Sequence, residues 1–126
     1  MKSILSCLAA ALLLAAPMVG SAAPTDFPPE ATPVSDDALR ERLSGKVFSV
    51  MPADGNGWRL EYKSNGYFFI NTDKGFAEAG RWKTESGKLC SEAPRIQANC
   101  SEVRVKGDAL YLKRASTGEV VEFVVR

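Results

Sequence analysis

No histidine occurs in the 126 residues. Its absence removes the commonest general base, the commonest zinc ligand and the side chain that changes charge near neutral pH. Serine or cysteine nucleophiles activated by histidine are therefore excluded. A Ser–Lys pair is the remaining route to an activated hydroxyl, and Ser64 beside Lys63 and Ser86 near Lys88 are the places where one is spelled out. Both serines lie in turn-like sequence, where the residue is expected for its local backbone hydrogen bonds, so both are read as turn residues. Carboxylates for glycoside cleavage would come from Glu61, Glu78, Glu85, Glu92, Glu102, Glu119 or Glu122, but on strands these alternate with apolar residues and mark a solvated outer face. Asp54-Gly55-Asn56-Gly57 offers too few oxygens for calcium, and no glycine-rich phosphate loop leads into a helix. The expectation is a protein without catalytic residues, metal ligands or cofactors.

Sulfur and aromatic rings are what remain. Cys90 and Cys100 form an even pair once Cys7 is assigned to an export leader, and in an oxidising compartment an even pair reads as a disulfide. The loop it closes, about eleven residues, gives roughly 3 kcal/mol by the chain-entropy account. A redox or zinc pair would want the closer C-x-x-C spacing. Trp58, Tyr62, Tyr67, Phe69, Trp82 and Tyr111 supply rings of the kind enriched at binding surfaces. With Arg81 they form the candidate binding set.

Two functions follow. The first is a non-enzymatic cell-envelope module that recognises a macromolecule, an exported protein or an envelope glycan, through exposed aromatics and loops such as Glu92 to Asn99. The second is a carrier of a small apolar ligand in a cavity lined by Trp58, Leu60, Trp82, Val103 and Leu112. Nucleic acid is excluded as a partner, since 16 basic against 15 acidic residues leave a net charge of only +1.

Position in the cell is read from the first residues. Lys2, an apolar stretch from Ile4 to Ala16, the helix breaker Pro17 and the small residues Gly20-Ser21-Ala22 have the order of a secretory signal peptide over residues 1–22, cleaved after Ala22. The apolar stretch is shorter than the roughly twenty residues a membrane span requires. The expected location is periplasmic or secreted, with no stable membrane span after processing. Loss of Lys2 leaves fifteen charges of each sign.

The elements that position these side chains are then legible in order. Residues 23–33 carry Pro24, Pro28, Pro29 and Pro33, a density that favours an extended, polyproline-like tether. Ser35 has the type and place of an N-cap, Asp36 and Asp37 suit the positive end of a helix dipole, and Gly45 suits a left-handed stop. A helix over 36–43 follows, with Leu39 and Leu43 on one face. From Lys46 onward, glycines at spacings mostly near ten separate short runs rich in Val, Phe, Tyr and Trp. This predicts eight antiparallel strands: 46–51, 58–63, 67–72, 78–84, 88–91, 101–106, 109–114 and 119–125. Sequential pairing predicts an up-and-down barrel that hides its edges, making residues 34–126 one all-β domain with an N-terminal helix. Its narrow bore favours self-packing over a ligand cavity, and both remain open. The strand 67–72 is apolar on both faces, through Tyr67 and Phe69 on one and Phe68 and Ile70 on the other. Charge is uneven as well: five acids and two bases over 23–43, against thirteen bases and ten acids beyond. The acidic arm is accordingly expected over a basic face around Arg81, Lys83, Arg95 and Arg104.

Leu43-Ser44-Gly45-Lys46-Val47-Phe48 resembles the opening of lipocalin-like (calycin) barrels, in which a short helix and a glycine precede an aromatic that plugs the barrel end. Here that aromatic is Phe48, three residues after the glycine, where those barrels have tryptophan two after. Gly66-Tyr67-Phe68, Gly80-Arg81-Trp82, Gly87-Lys88-Leu89-Cys90, Cys100, Val103 and Gly118 are together similar to small exported bacterial proteins of unknown function. That resemblance implies lipocalin-like β-structure and export, and it transfers no catalytic residue.

Overall fold

The computed structural model describes residues 23–126; the expected signal peptide, with Cys7, lies outside them. Asp36–Leu43 form α1. Ser35 caps it by accepting from the Ala38 N–H at 3.3 Å, and Gly45 stops it at φ +75°. The stop is anchored, because the Gly45 N–H donates to the Tyr62 carbonyl at 2.7 Å.

A strand of two residues, β1 (Thr32–Pro33), precedes the helix, and eight follow it. These are β2 (Lys46–Val50), β3 (Trp58–Tyr62), β4 (Tyr67–Thr72), β5 (Ala77–Glu85), β6 (Lys88–Ala93), β7 (Ile96–Lys106), β8 (Ala109–Lys113) and β9 (Val120–Val125). From β2 to β9 each strand pairs antiparallel with the next, and β9 returns to β2 through Phe48↔Val125 and Ser49↔Val124. The result is a closed eight-stranded barrel, which satisfies the backbone of every wall strand without leaving a long edge.

Alternation sorts the side chains. Leu60 and Tyr62 of β3, Phe68 of β4, Leu89 of β6, Val103 of β7, Leu110 and Leu112 of β8, and Phe123 of β9 turn inward and form the core with Leu39 and Leu43 of α1. Both helix leucines are fully buried, so the helix closes one end of the barrel as a plug. It is held to the wall through Asp36, whose carboxylate accepts from the Gly87 N–H at 2.6 Å and the Ser86 N–H at 3.1 Å. Ser86 and Gly87 both have positive φ, 50° and 74°, as a two-residue hairpin turn of this hand demands.

Two expectations need correction. The segment 92–99 is not a loop: β6 and β7 continue through it to a turn at Pro94-Arg95, with a register shift between Ser91 and Ala93. At that turn Arg95 binds the neighbouring hairpin. Its Nε and backbone N–H both donate to Glu78 Oε1, at 2.8 and 3.1 Å, its Nη2 donates to the Ala77 carbonyl, and its guanidinium lies 4.8 Å over the Phe76 ring. Nor is the proline-rich segment a free tether. The Val120 N–H donates to the Pro24 carbonyl, Arg104 stacks on Phe27 at 4.8 Å, and β1 adds to β7 through Thr32↔Val105 and Pro33↔Arg104. Of the four basic residues expected beneath the arm, Arg104 alone meets it; Lys106 joins instead, 3.6 Å from Glu30.

Candidate functional site

The barrel interior has two halves. Next to α1 it is filled by Phe48, Val103, Leu110 and Trp82. The Trp82 indole N–H donates to the Lys63 carbonyl at 2.9 Å, which orients the ring across the bore. Toward the other end no helix among the described residues covers the opening, and a cavity of about 640 Å³ enters the barrel there.

Its wall is mainly apolar at depth, where Ser101 stands opposite Leu89, and polar at the mouth, as the register dictates. Tyr62 and Phe68 pair near the helix end of β3 and β4, whereas Trp58 and Thr72 pair at the far end. Leu60, Tyr62, Phe68, Leu89, Leu112 and Phe123 line the inner part, and Asn56, Thr72, Gln97, Asn99, Arg114 and Ser116 line the rim. Four connections build that rim: those between β2 and β3, β4 and β5, β6 and β7, and β8 and β9. The Arg95 contacts tie two of them together.

Among the described residues one charged side chain, Arg114, faces the cavity. Its guanidinium lies 4.7 Å over the Trp58 ring, and its Nη1 donates to Glu119 Oε1 at 3.0 Å. Glu119 is buried, and its other oxygen accepts from the Ala53 N–H at 2.8 Å. The carboxylate is thus fully engaged behind the arginine, as burial of a charge requires.

Tyr62 is 3% exposed and sits among rings: Phe48, Phe68, Trp82 and Phe123 have centroids 5.4–6.4 Å away. Burial pushes its ionisation well above the ordinary tyrosine range, so it remains a neutral phenol.

The candidate residues do not converge on one site. Trp58 and Tyr62 line the cavity, and Trp82 is packed beneath it. Tyr67, Phe69, Arg81 and Tyr111 are not part of that core and lie on the outer side of their strands. Tyr67 is 42% exposed, but Arg81 stacks over its face at 4.2 Å. Of the five residues expected around a cavity, Trp58, Leu60 and Leu112 line it, and Trp82 and Val103 belong to the packed half. Phe68, Leu89, Phe123, Asn56 and Arg114 are among the lining residues that the sequence did not single out for a cavity. Phe68 was already visible as half of the two-faced β4; no local signal marks the others, since their meeting is a product of closure.

Cys90 and Cys100 face one another across β6 and β7 and are bonded, with Cα atoms 3.9 Å apart. Glu85 lies near both sulfurs, but sulfurs joined to each other leave a single carboxylate, too little to hold a metal. Among the described residues no helix is long and apolar enough to cross a membrane. No protein family matches the chain, and neither the curated proteins nor the solved structures yield a significant match, so its likeness to lipocalin-like barrels rests on architecture: a small antiparallel barrel with one short helix.

Proposed function

We propose that the protein is a non-enzymatic, lipocalin-like carrier of a small, mainly apolar ligand, held inside the barrel and acting in the periplasm or outside the cell. The observation that carries this reading is the cavity of about 640 Å³ with a mainly apolar inner wall and a polar mouth. Its volume falls within the roughly 300–1,000 Å³ of small-molecule sites, and its lining has their usual composition. Trp58, with the Arg114 guanidinium 4.7 Å over its ring, gives the mouth an amphipathic edge. The disulfide supports an oxidising compartment, in agreement with the leader-like residues at the start of the chain.

Recognition of an exported protein or a glycan through surface aromatics has less behind it. Trp58, Tyr62 and Trp82 turn inward, and the Tyr67 face that would stack on a sugar is already taken by Arg81.

Native mass spectrometry of the protein purified from the cell that exports it tests the carrier reading. A mass above that of the polypeptide is expected, lost on denaturation in organic solvent. Wild type is also expected to take up an environment-sensitive apolar dye, and Leu112→Trp, which puts a bulkier ring into the cavity, to take up less. A bare polypeptide mass, with dye uptake absent or equal in both forms, would dispose of the carrier.

A further inference from the structure

Among the described residues nothing accepts a hydrogen bond from the Tyr62 hydroxyl or donates one to it. The rings that surround it have no acceptor to offer, and the one N–H among them, on Trp82, is committed to the Lys63 carbonyl. Among the described residues every side-chain nitrogen or oxygen sealed from solvent has a partner. The unpartnered Tyr62 hydroxyl is therefore not sealed, and it opens on the cavity that Tyr62 lines. A phenol there leaves a hydroxyl that only water or a ligand in the cavity can satisfy, whereas phenylalanine would fill the same space without that demand.

Resting on the carrier reading, we infer that this hydroxyl donates to an oxygen of the ligand, which is an apolar molecule carrying a carbonyl-type acceptor at the end that enters first. The neighbouring wall is mainly apolar: Leu60, Phe68, Leu89 and Phe123 surround the same depth, with the buried Ser101 opposite Leu89 as the neighbouring hydroxyl, itself bonded to Asn99 Oδ1. A charged head would lose its hydration there with too few polar partners to replace it. A cationic head would in addition find no carboxylate, since none lines the cavity. Burial keeps the phenol protonated and hence a donor. Apolar chain and acceptor are thus both specified, the first by the wall and the second by the floor.

A matched pair of probes tests this: butyrophenone and butylbenzene, which differ by one oxygen on the same skeleton, titrated calorimetrically into wild type and Tyr62→Phe. The ketone-to-hydrocarbon affinity ratio is expected to fall about tenfold in the variant, the size of one buried hydrogen bond. Butylbenzene binding should stay within about twofold, and thermal stability should be equal or higher. An unchanged ratio overturns the inference, because the oxygen then lies elsewhere or the hydroxyl serves only water. A melting point several degrees lower in Tyr62→Phe also overturns it, by showing that the hydroxyl holds the fold. If neither compound binds wild type, the carrier reading fails together with the inference; equal loss of both compounds in the variant sinks the inference alone.

Discussion

Tyr62 and Gly80 show how much rests on single positions. Below the ordinary tyrosine range, near pH 10, folded and unfolded chains both keep the Tyr62 proton. Above it the unfolded chain releases that proton while the folded chain, with its raised value, retains it, so stability falls as pH rises. Urea unfolding from pH 8 to 11 should show this decline in wild type and a shallower one in Tyr62→Phe. Gly80 stands where β5 passes under β6. A Cβ there would run into the Glu92 carbonyl and come within 2.7 Å of Phe68 Cε1 and 2.8 Å of Ala93 Cβ. Overpacking of this kind costs about 1–3 kcal/mol, and two of the obstructing groups belong to the bulged stretch of β6, which has little room to move. Gly80→Ala is expected at or above the upper end of that range, measured by urea unfolding. A cost below about 0.5 kcal/mol would show that the bulge yields.

The hairpin of β6 and β7 is the element with most to explain. It is the longest in the wall, its tip is held by Arg95 and its base by the sulfur bridge. Ile96 and Gln97 reach the cavity rim from it, so its position shapes the mouth. Replacing both cysteines, as Cys90→Ala with Cys100→Ala, is expected to lower stability by about 2–3 kcal/mol, the usual effect for a loop of this length. Urea unfolding checks the size, and dithiothreitol should then destabilise wild type without affecting the double variant. The helix works differently. It adds little sheet or surface, but Leu39 and Leu43 fill the end of the bore, and Asp36 fastens the plug to the turn between β5 and β6.

Closure of the whole barrel depends on its thinnest seam. β2 and β9 share two register pairs, supplemented by the Arg126 N–H on the Val47 carbonyl at 2.9 Å. Removing residues 124–126 takes away all three. The melting midpoint is expected to drop by about 10 °C, the shift that ~2 kcal/mol produces in a domain near 100 residues. The edges so freed should promote association on gel filtration. Unchanged melting and a monomeric profile would mean that the core alone keeps the wall shut. The arm adds a second belt: from Pro24 to Pro33 it crosses β9 and β7, joined by backbone hydrogen bonds and the Arg104–Phe27 contact more than by charge. Exposed ion pairs such as Lys106–Glu30 contribute little, which is why a charge count alone misjudged where the arm would lie.

The residues by themselves determined the order of elements. Helix 36–43 was legible because the Ser35 cap and the Gly45 stop are local devices, acting within a few residues of where they stand, whereas the fastening of Asp36 to the turn at Ser86 and Gly87 was not. The eight barrel strands were legible because alternation and glycine punctuation are local too, and Cys90 with Cys100 declared a bridge by number and spacing. Where those strands end, and what lies inside them, only closure decided. Residues 92–99 read as a loop because the contacts made at their turn, by Arg95 to Glu78 and Ala77, lie on another hairpin. The arm read as free because its partners, Val120, Arg104 and Val105, come some seventy or more positions later. The cavity belongs to no stretch of chain at all: its wall joins Leu60, Leu89, Leu112 and Phe123 from four strands. Whether such a bore is filled or hollow depends on how bulky side chains from opposite walls meet, a property of packing in three dimensions that no one-dimensional pattern encodes.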